Sequence, residues 1–292
     1  MKTLVVINPK SGGGKGLHFG KKVREYFQSN SDVTFVEGSS LQETLAALDL
    51  ACNTVKYSHL VSVGGDGLVH DLLPILIKHN LPLLIVPAGT GNDFARTLGL
   101  YKTPLNEILE LPNHRAPEIL DIGLVAHGQG ISPFIQILST GFDSVVNERA
   151  NNFKIIKGSI KYVVAVLIKV WRFRAVGYRI SIDGKPLETE AMLVCVANGT
   201  SYGGGMKIVP HASVHDGVLD VMVVDKVSPL RMLLVFPRVF LGTHVKHPKV
   251  HFHTGREISL TGETVAFADG EQVAPLPISV RLSDQKLLVF RK

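Results

Sequence analysis

The sequence predicts an α/β chain: a doubly wound parallel-sheet domain over residues 1–121, followed by a β-rich antiparallel sandwich domain over residues 122–292. Three observations carry this. Up to residue 120, short apolar runs alternate with helix-like stretches. Beyond it, period-2 runs and hairpin turns take over. Three glycine-rich segments in the first half each follow an apolar run, where open parallel sheets bind ligands.

Residues 4–7, Leu-Val-Val-Ile, read as a buried strand, followed by a glycine turn and a helix. Residues 34–36 form a second strand. Leu41, Leu45 and Leu48 then recur at helical spacing, and Ser40 with Glu43 makes a capping box in front of them. Residues 59–63 are a third strand before Gly64-Gly65-Asp66-Gly67 and another helix. Residues 83–86 are a fourth, before Gly89-Thr90-Gly91-Asn92-Asp93. In the second half Tyr178, Ile180 and Ile182 alternate and end at Asp183-Gly184, a strong hairpin signal. Strands follow at 192–197, 219–224, 264–268, 278–282 and 287–290, with helices at 160–173 and 229–241. No low-complexity linker separates the halves, so they are expected to pack around a cleft.

Apolar residues make up 45% of the 292 and charged residues 19%, which excludes an extended disordered chain. The two cysteines, Cys52 and Cys195, lie in apolar runs. They exclude a disulfide scaffold and a cysteine-based zinc site and point to a reducing, cytoplasmic setting. The apolar part of the start is too short for a signal peptide, and no stretch approaches the ~20 apolar residues of a spanning helix. The net charge is 31 − 25 = +6, which suits nucleotide, nucleic acid or an anionic membrane. Because the charge is dispersed and there is one Trp, no nucleic-acid partner is expected.

The glycine loops carry the chemistry. Glycine lets backbone approach a ligand closely, and successive N–H groups at a helix start make a phosphate site. The loops match neither standard nucleotide fingerprint. No Gly-x-x-x-x-Gly-Lys-Ser/Thr occurs, and after Gly65-Asp66-Gly67 the third dinucleotide glycine is replaced by His70.

Asn8-Pro9-x-Ser11-Gly12, Gly64-Gly65-Asp66-Gly67 and Gly89-Thr90-Gly91-Asn92-Asp93-Phe94-Ala95-Arg96 resemble the catalytic region of the diacylglycerol kinase and sphingosine kinase superfamily, and most of all its soluble bacterial lipid kinases. The resemblance continues through Asn198-Gly199, Gly203-Gly204-Gly205, Pro210, Asp216-Gly217-x-Leu219-Asp220, Gly242-x-His244 and Asp269-Gly270-Glu271, in the family's order. It implies a first domain similar to NAD kinase and phosphofructokinase, a β-sandwich second domain, and ATP-dependent phosphorylation of a lipid hydroxyl in the cleft between them. By motif position, ATP contacts fall on Asn8, Pro9, Lys10, Ser11 and Gly12, on Gly64, Gly65, Asp66, Gly67, Leu68, Val69, His70 and Asp71, and on Gly89, Thr90, Gly91, Asn92 and Asp93. A polar residue after the second strand, Ser39, is added to them; its alternative is a turn residue before the Ser40 cap. Two positions depart from the diacylglycerol-type pattern: Leu68 stands where Thr is usual and Asp71 where Glu is usual. Leu68 resembles the sphingosine kinase version of the loop.

Phosphoryl transfer needs a phosphate cradle, a cation and a proton acceptor. With no cysteine or histidine cluster at metal-ligand spacing, Mg2+ and proton transfer fall to acidic residues. The resemblance assigns the proton acceptor to Glu271, as in bacterial members, with Asp66 organising the Mg-ATP end. The sphingosine kinase pattern would give the base role to Asp66 instead. The bacterial pattern also implies a structural magnesium held by the Ser213 carbonyl, the Asp216 carboxylate and the Val218 carbonyl, with His215 where an acid or amide is common.

A lipid substrate calls for bilayer contact. Tyr162 to Ile168 form an apolar centre flanked by Lys154, Lys157, Lys161, Lys169, Arg172 and Arg174, the composition of an interfacial helix. Leu230 to Leu241 with Arg231 and Arg238 are a second candidate. Transient contact with an anionic membrane is therefore expected, against the alternative of core helices with solvated ends. His244, His247, His251 and His253 read as surface or cleft histidines, with no Cys or Asp near them in sequence. A homodimer is one possible assembly. An NAD kinase-like or sugar-type kinase and a catalytically inactive nucleotide-binding regulator are the competing readings.

Overall fold

The computed structural model describes residues 1–151, 164 and 167–292. They group into two compact units, Met1–Leu120 with Gln285–Lys292, and Asp121–Asp284.

The first unit is built on a six-stranded sheet. Its strands are β1 (Thr3–Ile7), β2 (Val33–Val36), β3 (His59–Gly64), β4 (Leu83–Pro87), β5 (Glu118–Leu120) and β17 (Leu287–Val289), in the order β2-β1-β3-β4-β17-β5. The β2-β1-β3-β4 part is wholly parallel. Strand β3 is buried along its whole length, as a central strand covered on both faces must be. Helices α1 (Lys15–Phe27), α2 (Leu41–Thr54), α3 (Asp66–His79), α4 (Asp93–Thr97) and α5 (Leu105–His114) complete it.

Two expectations change here. Residues 287–290 do not join the second-half strands. Strand β17 lies parallel to β4 (Val289 beside Leu83) and antiparallel to β5. Leu287, Val289 and Phe290 bury there almost completely, so the end of the chain completes the apolar sheet of the first unit. The capping box is also shared differently. Ser40 Oγ accepts from Glu43 N at 3.2 Å, but Glu43 Oε2 reaches back to Ser39, accepting from its N at 2.9 Å and its Oγ at 2.6 Å.

The second unit is an 11-stranded antiparallel sheet folded around one core. Its strands are β6 (Gly123–His127), β7 (Gly130–Phe134), β8 (Ile137–Gly141), β9 (Val176–Ile182), β10 (Lys185–Ala197), β11 (Leu219–Asp225), β12 (Val250–Gly255), β13 (Glu257–Gly262), β14 (Val265–Ala268), β15 (Glu271–Pro275) and β16 (Ile278–Leu282). Strand β10 makes the fold possible. Its first half pairs with β9, its register shifts between Ala191 and Leu193, and its second half pairs with β8 and β11. A bulged strand that changes partners this way carries the sheet round a corner. Leu138, Ile180, Val194, Leu260 and Val280 then meet inside. The β9–β10 turn places Asp183 at φ 50° and Gly184 at φ 78°, the left-handed pair that a two-residue hairpin needs.

Helices α6 (Phe142–Asn151) and α7 (Pro229–Leu241) belong to this unit. Helix α7 starts at the Ser228 cap, stops at Gly242 (φ 72°), and packs Phe236 and Val239 onto the outer face of β10 and β11. Residues 160–163, 165 and 166 of the expected helix over 160–173, Lys161 among them, lie outside the described residues, together with Lys154 and Lys157. Among the described residues no helix is long and apolar enough to cross a membrane.

Candidate active site

Strands β1, β3 and β4 are neighbours, so the loops at their carboxyl ends lie side by side. The contact is backbone on backbone. A Cβ added to Gly65 would sit 2.8 Å from Gly89 Cα, and one added to Gly89 would sit 2.4 Å from Gly65 Cα. Gly12, at φ 57°, brings the first loop against the third: a Cβ there would lie 2.2 Å from Ala88 O. No other residue fits these points, which is the physical reason for glycine in all three loops. Asn8 N bonds Val63 O at 2.9 Å, tying the first loop to the end of β3.

Helices α1 and α3 begin at Gly14 and Gly65 with no side-chain cap, whereas α2 and α7 are capped by Ser40 and Ser228. At a helix start the dipole favours an anion.

The third loop is held by its own side chains. Asn92 (φ 54°) closes on Gly89, accepting from its N at 2.8 Å and donating to its O at 2.9 Å. Asp66 crosses from the second loop to the third: Oδ2 accepts from Asp93 N and Oδ1 from Phe94 N, both at 3.0 Å. It therefore caps α4 and locks two loops together. Arg96, which donates to Gly91 O at 3.2 Å and stacks over Tyr101, steadies the same loop.

The other expected nucleotide residues divide by exposure. Pro9, Lys10 and Thr90 are exposed, and Asn8, Ser11, Gly67, His70 and Gly91 are half-buried around the same rim. Leu68 and Val69 are buried, and Leu68 packs on Gly64, so they shape the loop from below. Asp71 is half-buried, and burial raises its carboxyl above the usual range. Asp93 is buried beside Arg96. Ser39 is exposed, and its hydroxyl donates to Glu43, whose carboxyl it holds below the usual range.

In the second unit Glu271 is exposed and opens β15 directly after a two-residue turn, Asp269 (φ 52°) and Gly270 (φ 92°). Asp269 pins this hairpin. Its carboxylate accepts from Ile135 N and Gln136 N at 2.8 Å and from Ile137 N at 3.2 Å. Asn198, fully buried, donates through Nδ2 to Ile135 O at 2.6 Å and Asp121 O at 3.0 Å. Asp121 Oδ2 accepts from Gly217 N at 2.9 Å. Asn198-Gly199, Asp216-Gly217 and Asp269-Gly270-Glu271, far apart in sequence, thus share one polar network. Asp121 and Gln136 are the residues sequence reasoning missed. The one signal for Asp121 was a lone acid between apolar Leu120 and Ile122.

Asp216 is exposed, and its Oδ1 already accepts from Val218 N at 3.2 Å, while Ser213 Oγ accepts from His215 N. Asp220 is buried, its carboxyl raised by desolvation against the pull of His211 at 3.6 Å. Among the described residues no group of three His, Cys, Asp or Glu could hold a metal ion. One correction concerns His251: Asp225 Oδ2 lies 3.1 Å from its Nε2, an acid absent from the neighbouring sequence but brought in by the β11–β12 pairing.

Between α7 and strands β10, β11 and β12 lies an apolar cavity of about 100 Å³, walled by Met206, Met222, Met232, Phe236 and Val239.

Comparison with known proteins follows the same division. A diacylglycerol kinase catalytic domain family matches residues 2–125, and a YegS C-terminal NAD kinase beta sandwich-like domain family matches residues 136–291. The chain is 32% identical over 295 residues to the diacylglycerol kinase of Mycobacterium tuberculosis (strain ATCC 25618 / H37Rv), covering 99% of this chain and 95% of that one. It is 28% identical over 269 residues to the diacylglycerol kinase of Staphylococcus saprophyticus, covering 90% and 85%. A diacylglycerol kinase crystal structure from Bacillus anthracis superposes with a TM-score of 0.72 at 20% identity, over 100% of this chain and 97% of that one. An NAD kinase from Archaeoglobus fulgidus in complex with ATP superposes at 0.55 and 14% identity, over 100% and 94%. These two likenesses bear on the fold alone.

Proposed function

Because this chain belongs to the diacylglycerol kinase family of bacterial lipid kinases, we propose that it uses Mg-ATP to phosphorylate the hydroxyl of diacylglycerol or a related lipid. The observation that carries the reading is the backbone stacking of three glycine loops over two uncapped helix starts. That arrangement presents N–H donors to phosphate oxygens and leaves no room for side chains.

In this reading Asn8 to Gly12, Gly64 to Asp71 and Gly89 to Asp93 cradle the nucleotide. Asp66 keeps the second and third loops in register. When bound with the nucleotide, Mg2+ would neutralise charge on the phosphates. Glu271 takes the proton of the lipid hydroxyl as its oxygen bonds the γ-phosphorus and ADP departs with the broken bond's electrons. An exposed hairpin carboxylate, held by Asp269 through three backbone N–H groups, suits a proton acceptor that must meet an incoming substrate. The apolar cavity beneath α7 takes part of the lipid tail. A cation at Asp216 plays no part in the step.

ATP consumption with diacylglycerol, sphingoid base, phosphatidylglycerol and NAD tests the substrate class. Turnover with a lipid and none with NAD is expected; turnover with NAD alone rejects the proposal. Glu271→Gln is expected to keep nucleotide affinity and lose about 10²–10⁴ in turnover. Undiminished turnover in that variant removes Glu271 from the base role.

A further inference from the structure

Ile135, Gln136 and Ile137 make the link from β7 into β8, and they are 2%, 4% and 2% exposed. Buried backbone needs a partner for every N–H and C=O, and a bend between strands cannot supply them itself. Two distant segments do. The Asp269 carboxylate accepts from the N of all three residues, and Asp269 N donates to Ile137 O at 3.1 Å. From the other side Asn198 Nδ2 donates to Ile135 O at 2.6 Å. Asn198 N and Gly199 N both donate to Gln136 O, at 2.9 and 2.8 Å. All six backbone polar groups of the link are thus met by Asp269 and by Asn198-Gly199.

The hairpin tip that carries Glu271 hangs on this link. Glu271 pairs with Ala268 across the turn of Asp269 and Gly270. The turn itself does not need a carboxylate, because Asn-Gly makes the same left-handed pair. The charge of Asp269 serves the link instead. Asn198 is fully buried, yet its Oδ1 has no hydrogen-bond partner among the described residues. A residue placed for packing alone would avoid that cost. What Asn198 supplies is two Nδ2 bonds, to Ile135 O and to Asp121 O. A displacement at Asn198 therefore passes to Ile135 and Gln136, from them to Asp269, and from Asp269 to the start of β15.

We propose that the 135–137 link, clamped between Asn198 and Asp269, sets the position of Glu271, which makes Asn198 a positioning residue for proton transfer. Asn198 is fully buried and acts through the link, whereas Glu271 is exposed at the end of the chain of contacts. The proposal rests on the reading of Glu271 as proton acceptor given above. A reacting group misplaced by about 1 Å loses on the order of 10²-fold in rate. The nucleotide loops belong to the first unit and share no hydrogen bond with the clamp, so nucleotide affinity is a separate quantity.

The test is steady-state kinetics of the full chain with ATP and vesicles containing diacylglycerol. The variants are Asn198→Ser, Asp269→Asn, Glu271→Gln, and each of the first two combined with the third. Serine removes both Nδ2 donors together with the orphan acceptor, and Asp269→Asn keeps the turn while removing the charge. Each of these two is expected to lose about 10- to 100-fold in kcat, with KM for ATP changed by less than about twofold. In the Glu271→Gln background each should lose no more than about a further twofold, because nothing is left to position. Amide exchange at Ile135 and Gln136 should quicken at least about tenfold in both. If Asn198→Ser unfolds below the assay temperature, Asp269→Asn still decides the cycle. An unchanged kcat, or losses that multiply with that of Glu271→Gln, overturns the proposal and leaves the kinase reading standing. So does a KM for ATP that rises in step with the fall in kcat, which marks a general loosening of the fold. A parent that turns over no lipid removes the kinase reading, and the positioning role falls with it.

Discussion

Replacing Asp66 with Asn keeps the side chain's shape but removes its charge and turns one acceptor into a donor. In the native chain the two carboxylate oxygens accept from Asp93 N and Phe94 N, each at 3.0 Å. A hydrogen bond to a charged acceptor contributes about 1.5–3 kcal/mol, and a neutral one about 1 kcal/mol. Asn can keep one bond in neutral form, while its amide nitrogen is left facing an N–H. The net cost is therefore about 2–4 kcal/mol, which lowers the melting temperature of the first unit by roughly 10 °C. Because Asp66 ties the second loop to the third, nucleotide affinity should fall with it, by tenfold or more. Thermal unfolding followed by circular dichroism, with nucleotide titration alongside, reads both quantities. If Asp66→Asn melts within about 2 °C of the parent, keeps its nucleotide affinity and loses turnover by orders of magnitude, the positioning role is wrong. The proton-accepting role would then pass from Glu271 to Asp66.

Two further outcomes follow from the first unit. Gly89→Ala places a methyl group 2.4 Å from Gly65 Cα and 2.7 Å from Asn92 Oδ1, so the loops must part; a loss of about 1–3 kcal/mol and at least tenfold in nucleotide affinity is expected in the same two assays, and an unchanged affinity would show that loop contact is not needed for binding. His59, buried against Phe290 at the root of β3, has its pKa lowered from 6.5 to about 4, by burial first and by the chain amino group second. Its neutral form is the folded one, so the stability it allows is complete above pH 6.5 and is lost as pH falls toward 4, by roughly 3 kcal/mol in all. Urea unfolding at pH 7 and pH 4.5 should show this fall, and His59→Gln should show less of it; equal pH sensitivity in the two proteins would place the acid response elsewhere.

The parallel-sheet half was legible because its cues are local. Residues 4–7, 59–63 and 83–86 are largely apolar runs that fold as buried strands, and each glycine loop follows one of them. The Asp183-Gly184 turn and the start of α7 after Ser228 were legible for the same reason: turn and cap chemistry is written within four residues. Strand partners were not. The run at 287–290 has the pattern of any half-buried strand, and nothing in it says that β4, some two hundred residues earlier, is its neighbour. Ser39 shows the same limit at close range, since a hydroxyl next to a helix start reads equally well as a ligand contact or as a bond to Glu43.

The sequence by itself determined that a glycine-rich loop follows each of β1, β3 and β4, that Glu271 follows a tight turn, and that the two halves carry different periodicities. These follow from backbone sterics and from side-chain spacing, which act over a few residues. Only the tertiary structure decided which donors the carboxylates meet. Asp66 and Asp269 spend their charge on backbone N–H groups of other segments, while Glu271 is left exposed at the hairpin end. A carboxylate's role depends on which donors reach it, and those donors arrive through strand pairing and loop contact across long stretches of chain.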